Sequence, residues 1–337
     1  MSTDTITVLR SHDGVLAKRI WMRGASYHVE SFSAGTWYSV RSMPVASFPG
    51  LTAALVDVSG DHGCAVIRGA LLPHVDPHRC RRLSDRARHG DAVTFAPAAR
   101  LWIALDVDGV PEADCLTFAA EPEAGVEHVL ELLPPEFGEA SCWWQATGSA
   151  GIKPGIRCRL WFWLSRPVSD TEAKGWLRGH PVDPSLYSPV TPHYTAAPIL
   201  APGVRDPMIR RSGIRHGLAD TVEVPAVLPE IHALAATPLT LDGVEPTEAD
   251  LAALDAAVRR SPAVRAIWTG QRTYPDRSRA HLALASALAR AGCRDPDTLH
   301  RALIDYDQRH GRDLSKILRP DYAARTLAAA LAAGAAR

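Results

Sequence analysis

Apolar positions change rhythm along this chain. Roughly the first 100 residues carry short strand-like runs, such as Ala53–Val58 and Cys64–Ile67, separated by Pro- and Gly-rich turns. Leu101–Gly109 is an apolar run that ends in Asp106, Asp108 and Gly109, which predicts a buried strand whose tail opens into a site. Val126, Leu130 and Leu133 then recur at helical spacing within Glu121–Leu133, with Glu123, Glu127 and Glu131 beside them. Two more strands are expected at Ser141–Gln145 and Arg157–Leu164, joined by the Gly-rich turn Gly148–Gly155. A short helix is expected at Thr171–Leu177 with Asp170 as its N-cap. Pro181–Ile214 is Pro-rich and reads as mostly irregular, the kind of long loop that carries function.

Near Thr240–Val244 the composition turns to Ala, Leu and Arg. Thr247 and Asp250 have the spacing of a capping box, with Leu251, Leu254 and Val258 as the apolar face behind it. Further helices are expected at Ser278–Ala291, stopped by Gly292, and at Pro296–Asp307 and Pro320–Ala333. The fold class read from this pattern is α+β, with a core domain over residues 1–240 and a small all-α domain over 245–337.

Length and charge refine that picture. The 337 residues, 46% of them hydrophobic, suffice for one large domain or two smaller ones. Basic and acidic side chains balance at 37 each, which argues against a protein that simply coats nucleic acid but permits a local basic groove. The balance is uneven along the chain. Residues 246–337 hold 15 Lys/Arg against 10 Asp/Glu, net +5, so the first 245 are net −5. Leu101–Gln145 contains no Lys or Arg, whereas Val66–His89 and Lys153–Arg178 are basic. Six scattered cysteines form no CxxC pair, so no structural zinc is expected. Without a secretory signal or a membrane-length apolar run, a cytoplasmic protein with free thiols is expected.

The chemistry starts at Asp106 and Asp108. Residues i and i+2 of a strand share a face about 7 Å apart. Two carboxylates placed so can ligate hard divalent cations, Mg²⁺ or Mn²⁺, with phosphate oxygens completing the shell. A bare DxD after a strand is more often a solvated turn, but the apolar run before it forces both acids to a strand end. Next, Arg157, Arg159, Trp161 and Trp163 share one face of a strand. Arginines in such a strand are costly unless they meet anions, and a triphosphate would satisfy them. The turn before them offers backbone N–H groups, Ser149 and Lys153 to phosphates. Asp183, before Pro184, is a turn former taken alone and a third metal carboxylate in this company. His193 and Tyr194 are candidates for sugar or base contact, Arg210 and Arg211 for phosphate. Taken singly, each of these four is more often an ordinary surface contact.

In their order these parts resemble the archaeo-eukaryotic primase superfamily, especially the primase-polymerases of phages, plasmids and integrated elements. Ala104–Asp108 matches the family's hDhD strand. Thr147–Leu164 matches its Ser/Gly-rich turn and following strand, and Val182-Asp183 its later strand-end Asp. Asp276–Gly292 resembles the helical domain that often follows such cores. The resemblance implies an N-terminal α/β unit beside an RRM-like catalytic unit and template-directed nucleotidyl transfer by two metals. Asp106, Asp108 and Asp183 would be both the metal ligands and the catalytic carboxylates. The partners implied are a single-stranded DNA template, NTP or dNTP, and a replicative helicase on a separate chain. Where the family has a nucleotide-binding His this chain has Arg157, or Arg159 if the register slips by two.

Three rival readings remain. Asp106–Val110 also resembles the phosphatase signature of the haloacid dehalogenase family, in which the first Asp is a nucleophile and the second an acid/base. That signature needs a later acidic pair, which is not found here. A glycosyltransferase DxD explains the metals but neither the Arg strand nor the helical tail. A non-catalytic DNA-binding replication initiator would not need Asp106, Asp108 and Asp183 all intact. Walker-type ATP binding is unsupported, since no GxxxxGK[ST] occurs.

Overall fold

The computed structural model describes residues 3–30, 35–84, 92–229, 247–274 and 277–335. It is an α+β protein in two compact units, Met1–Ile231 and His232–Arg337. The expected boundary at 240–245 lies outside the described residues.

The first unit begins with β1 (Asp4–Ser11), β2 (Arg19–Arg23), β3 (Ser26–Glu30), β4 (Tyr38–Val45), α1 (Phe48–Ser59), β5 (Cys64–Ile67), β6 (Ala70–Leu71) and β7 (Phe95–Ala96). β1 lies between β4 and β5 in an antiparallel sheet, and β2 pairs with β3 as a ribbon. The strand expected at Ala53–Val58 is instead the second half of α1. Ser47 caps that helix by accepting from the Gly50 amide, and a proline sits in its first turn. Leu51, Leu55 and Val58 recur at helical spacing and are buried, so the core takes one helical stripe where an alternating pattern was expected.

The remainder of this unit holds β8 (Arg100–Val110), α2 (Pro122–Leu130), α3 (Pro135–Gly138), β9 (Cys142–Ala146), β10 (Ile156–Val168), α4 (Asp170–Trp176), β11 (Ile199–Leu200), β12 (Ser212–Arg215) and β13 (Thr221–Val222). β10 is the central strand. It runs antiparallel to both β8 and β9, β12 extends the sheet beyond β9, and β13 joins the far end of β10 in parallel. Both faces of this sheet are buried, which is why its strands read as continuous apolar runs. Ile103, Leu105, Cys158, Leu160, Phe162 and Trp144 share a core with residues of α2, α3 and α4. Trp102, Ala104, Trp143, Trp161 and Trp163 pack on the other side with residues of β1 and α1.

One buried ion pair fastens these layers. Arg68 is fully buried; its Nε donates to Asp170 Oδ1 at 2.6 Å, and its other nitrogens donate to the carbonyls of Trp102 and Val168. This use of Asp170 corrects the expected N-cap. Ser169 caps α4, in a reciprocal capping box with Glu172, and frees Asp170 to turn inward.

The second unit comprises α5 (Glu248–Arg260), α6 (Pro262–Trp268), α7 (Arg277–Arg290), α8 (Pro296–Arg309) and α9 (Pro320–Ala335). Thr247 and Asp250 form the expected capping box, and Gly292 follows α7 at φ +100°. Leu254, Val264, Leu284, Leu288, Leu303 and Leu327 share its core. Within that core His281 bridges the buried Asp307 carboxylate at 2.9 Å and the Tyr322 hydroxyl at 3.0 Å. Among the described residues no helix is long and apolar enough to cross a membrane.

Candidate functional site

The face of the large sheet that carries Trp102 and Ala104 continues, two residues at a time, to Asp106 and Asp108. The antiparallel register sets Asp106 opposite Arg159 and Asp108 opposite Arg157, and on the other side of β10 it sets Gln145 opposite Arg159. Two polar rungs result: Asp106–Arg159–Gln145, then Asp108–Arg157, with the Thr147 amide donating to the Arg157 carbonyl at 2.9 Å. Behind them the rungs are aromatic, Trp143 and Trp161 in one and Trp102 and Trp163 in the next. The polar end of a buried face is where a site can open.

Glycine makes the rim. The pairing shifts by one residue between Arg157–Asp108 and Ile156–Val110, a β-bulge at Gly109 with φ +86°. Gly155, at φ +77°, lies against it, and a Cβ there would stand 2.7 Å from the Val110 carbonyl oxygen. The bulge ends the regular ladder at the place where Asp108 and Arg157 reach the surface.

The cleft above these rungs has a volume of about 320 Å³. Its walls include Leu16, Ala17 and Lys18 from the segment before β2, the Thr147–Ser149 turn with Lys153, and Tyr194 with Ala196. Sequence reasoning missed Lys18, Gln145 and Thr147. Nothing local marks Lys18, which reaches the site only because the chain folds over the strand end; its stem packs against Gly148, where a Cβ would sit 3.0 Å from Lys18 Cδ. Burial, then the neighbouring charge of Lys153, pulls the Lys18 ammonium below the usual lysine range, while Asp106 opposes the shift. Lys18, Lys153, Arg157 and Arg159 face Asp106 and Asp108, so the cleft carries an excess of two positive charges.

Both carboxylates are partnered. Arg159 Nη2 donates to Asp106 Oδ1 at 2.6 Å, and these side chains are 6% and 19% exposed. Arg159 Nη1 donates to the Tyr194 carbonyl at 2.7 Å. Further out, Arg157 pairs with Asp108, whose side chain is 65% exposed. Ser149 is buried under the turn and Lys153 is exposed on it. Asp183 is next to Asp106 through the backbone, its amide donating to the Asp106 carbonyl at 2.9 Å. Its carboxylate, however, accepts from the Ser185 amide at 2.9 Å and hydroxyl at 2.8 Å, capping a 3-10 turn. Among the described residues no three His, Cys, Asp or Glu side chains converge on one metal position.

The other nucleotide-contact candidates sit elsewhere. His193 is fully buried, its ring 5.4 Å from Trp161 and 6.0 Å from Trp102 between centroids, and its backbone pairs with Val66. Burial, with the charges of Arg159 and Arg68, holds its imidazole well below the usual histidine value. Arg210 pairs with Glu123 and lies over Trp144. Arg211 grips Asp206 through two nitrogens at 2.8 and 2.7 Å, and its third holds the Thr147 carbonyl at 2.9 Å. It therefore ties the start of the Thr147–Ser149 turn to Asp206. Two further cations are also committed: Arg68, from the basic stretch Val66–His89, to the core, and Arg215 to Glu127. No protein-family model, curated protein or solved structure matches this chain.

Proposed function

We propose that this protein is a primase-polymerase of the archaeo-eukaryotic kind, which transfers nucleotides on a single-stranded DNA template. The observation that carries the reading is the pair of rungs Asp106–Arg159 and Asp108–Arg157 at the open end of a buried sheet, under a turn that holds Ser149 and Lys153. Acid and base alternate across adjacent strands, so one cleft offers oxygen ligands to a cation and guanidinium groups to a polyphosphate. The order β8, α2, β9, β10, α4, with β10 between β8 and β9, supports an RRM-like unit. The departure is β12, which flanks β9, where that pattern would place a last strand beside β8.

The donor set fits Mg²⁺ or Mn²⁺, since it consists of hard carboxylate oxygens on one strand face. Asp106 and Asp108 would hold the cations, and Asp183, one backbone hydrogen bond away, is the third carboxylate once it releases Ser185. Bound there, the cations supply activation of the attacking hydroxyl and charge stabilisation of the departing pyrophosphate. The chain's own residues do the rest. Arg157, Arg159, Lys153 and Lys18 orient the triphosphate, the turn backbone and Ser149 receive its oxygens, and Arg211 holds the turn in place.

The test is primer synthesis and extension on single-stranded DNA with Mn²⁺ or Mg²⁺, wild type against Asp106→Ala and Asp108→Ala. Product from the wild type alone is the expected result. Hydrolysis of a phosphomonoester in place of nucleotide addition would replace this reading with the dehalogenase-like one. DNA binding with no chemistry would leave the replication initiator.

A further inference from the structure

The β2–β3 ribbon exposes a face that the cleft does not use. Alternation puts Arg19, Trp21 and Arg23 of β2 on one side, and the register places Glu30, His28 and Ser26 opposite them. Ile20 points the other way and is fully buried, which makes this side the outer one at the Arg19–Trp21 end; towards Arg23 the ribbon also exposes Met22, at 38%, on its other side. Trp21 is 37% exposed, the most exposed of the chain's nine tryptophans. Its ring stacks on His28, with centroids 5.8 Å apart and planes 18° from parallel.

The polar company of this stack is cationic. Arg19 and Arg23 are both exposed, stand about 13 Å apart along the strand, and have no ion pair among the described residues. Glu30, across from Arg19, is the one acid on this side of the two strands, which leaves a net positive face. A tryptophan serving the fold would be expected to resemble Trp102 or Trp161, fully buried in aromatic rungs. Trp21 instead presents a flat π surface between two exposed guanidinium groups that have no ion-pair partner among the described residues.

We infer that the outer face of the β2–β3 ribbon is a platform for single-stranded nucleic acid, with bases stacking on Trp21 and His28 and phosphates meeting Arg19 and Arg23. Stacking on an aromatic face tolerates any base, and flanking cations track the backbone. The ribbon is tied to the cleft wall twice, both times at the Arg19–Ile20 end of β2. β2 starts one residue after Lys18 of the cleft wall, and β11, three residues past Ala196 of that wall, pairs with β2 in parallel. That the strand bound here is the template rests on the primase reading; the platform itself does not.

Fluorescence anisotropy of a labelled oligo-dT tests it, together with primer synthesis on the same template. Trp21→Ala is expected to weaken oligonucleotide binding about 10-fold. Arg19→Ala/Arg23→Ala is expected to flatten the plot of log affinity against log salt by about 1.4, the loss of two single-strand phosphate contacts. Nucleotide binding in the cleft should stay unchanged in both. Equal oligonucleotide affinity for wild type and Trp21→Ala overturns the platform and leaves the primase reading standing. Weakened binding by the variants, in a wild type that makes no primer, keeps the platform and overturns the primase reading. Should Trp21→Ala turn a dimer into a monomer in light scattering while oligonucleotide affinity holds, the face belongs to a second copy of the chain.

Discussion

Asp106 and Arg159 meet across the β8–β10 ladder at 2.6 Å, with Arg159 buried and Asp106 partly open to the cleft, and Arg159 also donates to the Tyr194 carbonyl at 2.7 Å. One rung outward Asp108 and Arg157 repeat the pairing in a more open setting. The carboxylates proposed to bind cations and the guanidinium groups proposed to bind phosphate therefore neutralise each other when the cleft is empty of both. Either ligand entering alone must leave one partner of each pair uncompensated. Both entering together exchange two ion pairs for two others.

That exchange predicts coupled binding. Mn²⁺ affinity, read by electron paramagnetic resonance of free Mn²⁺, should rise about 10-fold in the presence of a non-hydrolysable nucleoside triphosphate, with a reciprocal gain for the nucleotide. Arg157→Ala/Arg159→Ala should bind Mn²⁺ alone more tightly than the wild type does, because its carboxylates are already free. Independent binding of metal and nucleotide in the wild type would contradict the exchange.

The inner pair also has a structural cost when broken. Arg159→Ala should destabilise the protein by about 3 kcal/mol, since it strands a mostly buried carboxylate. Adding Asp106→Ala should recover much of that loss, because two missing charges cost less than one unpaired charge. Urea unfolding of the two single variants and the double variant measures the coupling. Additive losses would mean that the two side chains do not act as a pair.

Lys18 lines the same cleft as Arg157 and Arg159, and under the proposed function it is a further contact for the triphosphate. Lys18→Ala should weaken triphosphate binding about 10-fold, the size of one charge-assisted hydrogen bond. The ammonium carries its charge below its pKa, and burial beside Lys153 lowers that pKa. Wild-type nucleotide affinity should therefore fall, as pH rises, before the ordinary lysine range of about 10.4 is reached, while Lys18→Arg, charged throughout, should hold its affinity. Parallel pH profiles for the two proteins would remove Lys18 from the contact.

Lys18 also shows where sequence reading stops. The DxD strand was legible because its apolar run is long and local, and the Arg strand because two charges in an apolar alternation are conspicuous. Capping at Thr247 and the end of α7 at Gly292 were legible for the same local reason. The α1 segment was not, because Ala53–Val58 is apolar enough for either element and its helical start signal lies upstream at Ser47. Arg210 and Arg211 carry a pattern that suits phosphate, but Glu123, Asp206 and the Thr147 carbonyl claim them, and two of these three partners are far away in sequence. Lys18 reaches the cleft through a fold-over that no periodicity encodes.

His193 is the fullest case of that kind, and it sets a pH dependence. Pro192, His193 and Tyr194 look like a polar loop, yet the backbone of His193 pairs with Val66 and carries the ring into an aromatic cage of Trp102 and Trp161. Burial and the charges of Arg159 and Arg68 keep that ring neutral and lower its pKa well below 6.5. The folded state therefore binds fewer protons than the unfolded state once pH drops below the unfolded value. Stability is fully present above about pH 6.5 and falls by about 1.4 kcal/mol for each further unit of acidification, until the folded pKa is reached. His281 in the helical unit is shifted in the same direction, so the clean measurement is a comparison. His193→Phe, which fills the cage without a titrating nitrogen, should flatten the decline in unfolding midpoint between about pH 7 and pH 5, followed by tryptophan fluorescence. The same variant should leave nucleotide affinity near the wild-type value, because the ring lies behind Arg159 and lines no part of the cleft. An unchanged pH slope would show that His193 is not the buried group that acid must charge.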